Sequence, residues 1–298
     1  MPNAKEIRNR INSVRDTRKI TSAMYMISST KLRKAKHELD AARPYFDAIR
    51  TEIKRVFRID TDVTSPYFYP AKGEEPLHGT YACLVITADK GLAGAYNHNV
   101  TKEALAMLEE HPDTKLYVVG ECGRQFFAQK HIPIEQSFLY PAKDPSLRRA
   151  RDITGTLLEK FVSKEVEKIY IIYTDMKNGL TAEPVRFRLL PFHREQFTGE
   201  ERSTTDKFEF APSLGKVLDS IIPSYISGFV FSALVDSFCS EQNARMTAMD
   251  SASRNADKML SELNTYYNRI RQSAITQEIT EISAGARAQK TKKGKETD

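Results

Sequence analysis

The stretch Thr87-Ala88-Asp89-Lys90-Gly91-Leu92-Ala93-Gly94 is where this chain of 298 residues comes nearest to a phosphate cradle. It follows an apolar, β-rich run, and backbone N–H groups at the start of a helix suit anions. The match is poor. No Gly-Lys-Ser/Thr closes the loop as in a P-loop, and no third glycine completes a dinucleotide fingerprint. A tight strand-to-helix turn with Asn97 or Asn99 as the helix cap is the favoured reading. The six histidines (His37, His78, His98, His111, His131, His193) show no paired metal spacing, and no cysteine lies at ligand distance from another. There is no Gly-x-Ser-x-Gly elbow. Most carboxylates lie among Lys and Arg on helical stretches, as solvated faces do. The expectation is a protein with no catalytic residue, no metal and no cofactor.

Charge is placed unevenly. Net charge is +6, yet the first 36 residues hold ten Lys/Arg against Glu6 and Asp16, so the remainder sums to −2. The excess belongs to one element and points to a local acidic partner. Nucleic acid is disfavoured, because Arg8, Arg15, Arg18, Lys31 and Arg33 spread around the helix and lack aromatic residues for base stacking. Cys83, Cys122 and Cys239 are far apart in sequence and are expected as reduced core thiols. No run reaches the roughly 18 apolar residues of a membrane span. The N-terminus carries no signal-peptide apolar region, and Glu6 and Asp16 argue against a transit peptide.

The elements that would position any site begin with two long helices. From Asn3 to Arg43 there is neither Gly nor Pro. Ile7, Ile11, Val14, Thr21, Tyr25, Ser28, Leu32, Ala35, Leu39, Ala42, Phe46, Ile49, Ile53 and Val56 recur in steps of three and four, broken at Arg18. Such a heptad repeat specifies a left-handed coiled coil. The repeat keeps its phase across Pro44, so a bend is expected there and not an end. Between Phe229 and Ala284 the same spacing runs through Met249, Ala252, Ala256, Met259, Leu263, Tyr266, Ile270, Ser273, Gln277, Thr280 and Ala284. Each helix would be about 80 Å long at 1.5 Å per residue.

Between them, β-rich runs at Tyr81–Thr87, Leu116–Val119, Ile132–Phe138, Ile169–Thr174 and Val185–Pro191 alternate with helical stretches near Val100–Glu110, Cys122–Gln129 and Leu147–Glu167. Alternation of this kind implies a mostly parallel sheet in an α/β layer. The expected fold is therefore α/β with long helices: an antiparallel coiled coil of the N- and C-terminal helices plus a central Rossmann-like domain of about five strands. The expected divisions are an N-terminal helix 1–59, a polar linker 60–76, an α/β domain 77–211, a C-terminal helix 212–288 and a disordered basic tail 289–298. Residues 193–211 read as a mobile loop.

Specific strings then carry a resemblance. Ile7-Arg8-Asn9-Arg10-Ile11-Asn12-Ser13-Val14, Thr17-Arg18-Lys19-Ile20-Thr21-Ser22-Ala23-Met24 and Lys31-Leu32-Arg33-Lys34-Ala35 resemble the first helix of the F-type ATP synthase gamma family. So do Asn243-Ala244-Arg245-Met246, Tyr267-Asn268-Arg269 and the run Ile275-Thr276-Gln277-Glu278-Ile279-Thr280-Glu281-Ile282-Ser283-Ala284-Gly285-Ala286-Arg287-Ala288. The Asp89-Lys90-Gly91-Leu92 turn matches a central motif, with Ala93 where many members carry Cys. Tyr25 departs from a usual charged residue.

The resemblance implies a non-catalytic rotor shaft on the cytoplasmic side of a bacterial plasma membrane. It would stand inside a ring of three alpha and three beta subunits and bind epsilon and the membrane c ring. By position, Met24, Lys90, Arg245, Arg271, Gln272, Thr276 and Glu278 match family residues that contact the beta ring. The polar interruptions Arg18, Thr21 and Ser28 are expected where the helix pair faces that ring. No thiol switch is expected, because the cysteine-bearing insertion of chloroplast members has no counterpart.

Overall fold

The computed structural model describes residues 4–59, 63, 65–69, 79–138, 142, 144–177, 181–197, 211 and 213–295. In chain order these form α1 (Ala4–Ile59), β1 (Tyr81–Ile86), α2 (Tyr96–Glu110), β2 (Lys115–Val119), α3 (Glu121–Gln129), β3 (Gln136–Phe138), α4 (Leu147–Val162), β4 (Lys168–Lys177), β5 (Thr181–Leu190), a 3-10 turn (Arg194–Gln196) and α5 (Leu214–Lys295). The chain divides into two compact units. A central unit spans Ser28–Met246, and a terminal unit combines Met1–Ile27 with Thr247–Asp298.

The central unit is built on a five-stranded sheet of order β3-β2-β1-β4-β5. The first four strands are parallel, and β5 closes one edge antiparallel to β4. All six residues of β1 are buried, which is why it reads as a continuous apolar run. Its alternate side chains feed two cores. Ala82, Leu84 and Ile86 pack with Ile153 and Leu157 of α4, Ile53 of α1 and Ile222 of α5. Tyr81, Cys83 and Val85 pack with Val100, Ala104 and Met107 of α2 and Phe127 of α3. Helices thus cover both faces, as a parallel sheet requires.

The two long helices enter this core directly. Leu218, Ile222, Ile226, Val230 and Leu234 of α5 repeat every four residues and are at most 5% exposed. An 18-residue window of α5 is apolar enough to cross a bilayer by length and composition, and half of it is buried in the protein. The sequence reading missed it because Ser and Gly interrupt the apolar residues; its packing is that of a core helix. Both α1 and α5 continue through an internal proline, Pro44 and Pro223.

Several boundaries differ from expectation. Tyr67, Phe68 and Tyr69, expected within a polar linker, are core: all three are buried, and Tyr69 N donates to Phe192 O at 3.1 Å. Phe57, Phe68, Phe192, Phe197 and Tyr225 form one aromatic cluster, which is the physical reason. The third strand is three residues long, α4 ends at Val162, and α5 continues to Lys295 where a tail was expected. Lysines are good helix formers, and the one glycine between 286 and 295, Gly294, falls in the final turn. Of the expected mobile loop, 198–210 lies outside the described residues.

In the terminal unit α1 and α5 run antiparallel: Arg18 pairs with Asp257 at 2.8 Å, and Thr21 Oγ1 lies 2.7 Å from Ser253 Oγ. The seam departs from the expected one by single residues. Met24, Leu260 and Tyr267 turn toward the seam, while Tyr25, Met259 and Tyr266 are exposed. A gap of seven can be divided three-then-four or four-then-three, and spacing alone does not choose.

Candidate functional site

Two regions gather the candidate residues. The first lies in the central unit, at the carboxyl ends of β1 and β4. The sheet order reverses there, from β2 on one side of β1 to β4 on the other, and open α/β folds place ligands in that crevice. Here the crevice is closed by α5. Ser237 Oγ accepts from Thr174 N at 3.2 Å, and Ser240 Oγ donates to Thr174 O at 3.4 Å. Ala244 packs against Ala88, Ala93 and Tyr96.

The turn after β1 is tied down at its base. Thr87 Oγ1 donates to Val119 O at 2.8 Å and accepts from Gly123 N at 2.9 Å. Gly120, at φ 94°, is required, because a Cβ there would stand 2.2 Å from Thr87 O. Ala88 N donates to Asn97 Oδ1 at 2.9 Å, and Glu121 N to Asp89 Oδ1 at 3.3 Å. Asn97 therefore fastens the turn, and the cap position of α2 is Ala95, without a side-chain cap bond. This corrects the expectation of Asn97 or Asn99 as cap.

The tip of the turn faces a cation. Arg245 Nη2 donates to Lys90 O and Gly91 O, each at 3.0 Å, and Nη1 donates to Glu241 Oε1 at 2.5 Å. The Arg245 and Glu241 side chains are 8% and 6% exposed. Burial pushes the Glu241 carboxyl up from its ordinary value, with Arg245 opposing. A turn that aims two carbonyl oxygens at a buried guanidinium offers a phosphate the wrong charge, so the cradle reading fails on geometry. Among the described residues no group of three His, Cys, Asp or Glu could hold a metal ion. The three cysteines are free, with Cys83 and Cys239 buried and their thiols pushed up by burial, Cys239 to about 12.

The remaining candidates lie in the terminal unit. Met24 is half-buried in the seam, whereas Arg271, Gln272, Thr276 and Glu278 are exposed on α5. From 271 to 287 every residue of α5 is exposed. The heptad positions Ser273, Gln277, Thr280 and Ala284 have no partner helix here among the described residues. Thr276 Oγ1 turns back onto its own helix, donating to Gln272 O at 2.9 Å. Ile275, Ile279 and Ile282 are 46%, 59% and 68% exposed. At 3.6 residues per turn these three fall within about 60° of one another. Arg271 and Glu278 border that stripe on one side, Gln272 and Thr276 on the other. A solvated apolar stripe on a bare helix marks an interaction surface.

The structure thus brings Lys90 and Arg245 together, Lys90 exposed and Arg245 turned inward. It groups Arg271, Gln272, Thr276 and Glu278 around an isoleucine stripe, and Met24 sits in the seam of the terminal unit. Sequence reasoning missed Glu241, whose four-residue offset to Arg245 is the usable signal. It also missed the stripe, whose 275, 279, 282 spacing was legible. The polar interruptions also join the helix pair: Arg18 and Thr21 bond across it, with the Arg18 side chain still 51% exposed, and Ser28 is 2% exposed.

The family model described as ATP synthase matches residues 3–289. The ATP synthase gamma chain of Ruminiclostridium cellulolyticum is 39% identical over 291 residues, covering 96% of this chain and 98% of its own length. That of Caldanaerobacter subterraneus is 39% identical over 292 residues, covering 95% and 98%. In fold, the chain is similar to the rotor of the Euglena gracilis mitochondrial ATP synthase, with TM-score 0.62 at 15% identity, over 91% of this chain and 98% of that one. It is similar also to a central-stalk chain of the Tetrahymena thermophila enzyme, with TM-score 0.60 at 22% identity, covering 78% and 99%.

Proposed function

We propose, because this chain belongs to the family of ATP synthase gamma chains, that it is the central rotor shaft of that enzyme. It is non-catalytic, and it carries torque between the membrane c ring and a ring of three alpha and three beta subunits. ATP is made or hydrolysed on the ring, and epsilon binds the shaft. The assembly holds the chain on the cytoplasmic face of a bacterial plasma membrane without a membrane span of its own.

The observation that carries this reading is the contrast along α5. One unbroken helix of 82 residues begins as a core element of the α/β unit and ends in solvent-exposed turns with an apolar stripe. A core helix cannot turn relative to its sheet without breaking its packing, so it transmits rotation rather than slipping. The exposed end suits an apolar sleeve, where small and aliphatic side chains slide without a fixed bond. One charge crossing 100 mV is worth about 2.3 kcal/mol, so a few ions deliver roughly 10 kcal/mol per ATP. A single helix would twist under such loads, and two interlocked helices share them. Lys90 is the charged loop position that meets beta as the shaft turns. Met24, Arg271, Gln272, Thr276 and Glu278 line the contact at the other unit.

Affinity purification of the full chain from its host tests the assignment. Alpha, beta, epsilon and the c ring should co-purify in one complex. Recovery of the chain without alpha and beta would overturn it.

A further inference from the structure

The ion pair on α5 has a geometry that a surface contact would not need. Glu241 takes one guanidinium nitrogen of Arg245, which leaves the second free to bridge the carbonyls of two successive peptides at the tip of the turn. Gln242 Nε2 donates to the same carboxylate oxygen at 3.2 Å. Both charges are buried, so each depends on the other to remain there. The turn itself is a demanding shape: Leu92 and Gly94 both lie in the left-handed region, at φ 62° and 57°. Lys90 has its carbonyl drawn inward to Arg245, and its side chain is exposed. At a trans peptide, fixing the carbonyl direction limits where the neighbouring side chain can point.

We propose that Glu241 and Arg245 are a positioning pair, which locks the Asp89–Gly94 turn onto α5 so that Lys90 is presented in one fixed direction to the catalytic ring. This rests on the reading of Lys90 as a ring contact. It assigns Arg245 an inward role acting through Lys90, in place of the direct beta contact that the resemblance implies. A lysine at 245 would keep the charge but lose the planar fork that serves three oxygens at once. Ala at 90 would keep both carbonyls, and therefore the lock, while removing the presented charge. The two substitutions break the same device at different points.

The test uses the assembled complex in membrane vesicles with Lys90→Ala, Arg245→Lys, the double variant, and the near-isosteric Glu241→Gln. Two quantities are read: ATP-driven proton pumping per ATP hydrolysed, and amide hydrogen exchange across residues 89–94. Losing one charge-assisted bond corresponds to roughly a tenfold or greater rise in local opening. Exchange in the turn should therefore rise by about that factor in Arg245→Lys and Glu241→Gln, and stay unchanged in Lys90→Ala. Pumping per ATP should fall in each single variant, and the double variant should be no worse than the weaker single one. Multiplying losses in the double variant, or an unchanged exchange rate in both Arg245→Lys and Glu241→Gln, would overturn the positioning role with the ring-contact reading intact. Normal pumping in Lys90→Ala would overturn the ring-contact reading, and the proposal with it.

Discussion

Asp236 lies on α5, and burial and the Asp175 carboxylate of β4 push its carboxyl up to about 6 from the ordinary 3.8. Arg43 of α1 and the Ser232 hydroxyl oppose that rise without cancelling it. Tyr173 lies in the same field and is itself pushed up to about 12. A carboxyl whose folded-state pKa is raised favours the fold while protonated. Its contribution is fully present below the unfolded value near 3.8 and is lost as pH rises through about 6. At 1.36 kcal/mol per pKa unit the neutral-pH penalty is roughly 3 kcal/mol, which residual solvent exposure trims to about 1–2 kcal/mol. Asp236→Asn removes the charge at nearly constant shape, and Arg43 stays solvated. Thermal unfolding of the full chain, followed by circular dichroism, should therefore show the variant more stable than the parent at pH 8 by that amount, with the gain vanishing near pH 4. A gain of equal size at both pH values, or a loss at pH 8, would refute the argument.

Other perturbations follow from packing and surface. A Cβ at Gly228 would stand 2.0 Å from Phe46 Cδ1, so Gly228→Ala must displace a ring packed between the two long helices. The strain of about 1–3 kcal/mol outweighs the gain of about 1 kcal/mol in helix propensity, and Phe46→Leu in the same chain should restore part of the loss in unfolding midpoint. Arg271→Ala with Gln272→Ala should impair coupled ATP synthesis in vesicles while the helices stay folded by circular dichroism; unchanged synthesis would remove these two residues from the site. Ile275→Ser, Ile279→Ser and Ile282→Ser together leave the folded chain intact, because all three are solvated. They should weaken capture of alpha and beta subunits, and full retention of both subunits would show that the stripe is not a docking surface.

The parts of the fold legible in the sequence were those with one physical cause. The heptads of α1 and the wholly apolar β1 announce themselves because each is dictated by burial on known faces. The seam partners were ambiguous at Met24 and Tyr25, since either order of steps satisfies the repeat. Tyr67, Phe68 and Tyr69 sat among prolines and charges, and their burial depends on aromatic partners far along the chain, Phe192 and Phe197. Arg18 and Thr21 looked like flaws because a polar seam pair needs both members, and Asp257 and Ser253 lie more than 230 residues away. At the candidate site, Lys90 and Arg245 were found one at a time, and what joins them is a bond from a guanidinium to backbone carbonyls, which side-chain types do not encode.

The central claim is that this chain turns inside the ring. With the alpha and beta ring fixed to a surface, a bead attached to α4 at its exposed residue 152, as Asp152→Cys, reports rotation directly under ATP. Rotation should be unidirectional and stepped, and should stop when ATP is removed. A bead that stays still while the same complexes hydrolyse ATP would contradict this claim.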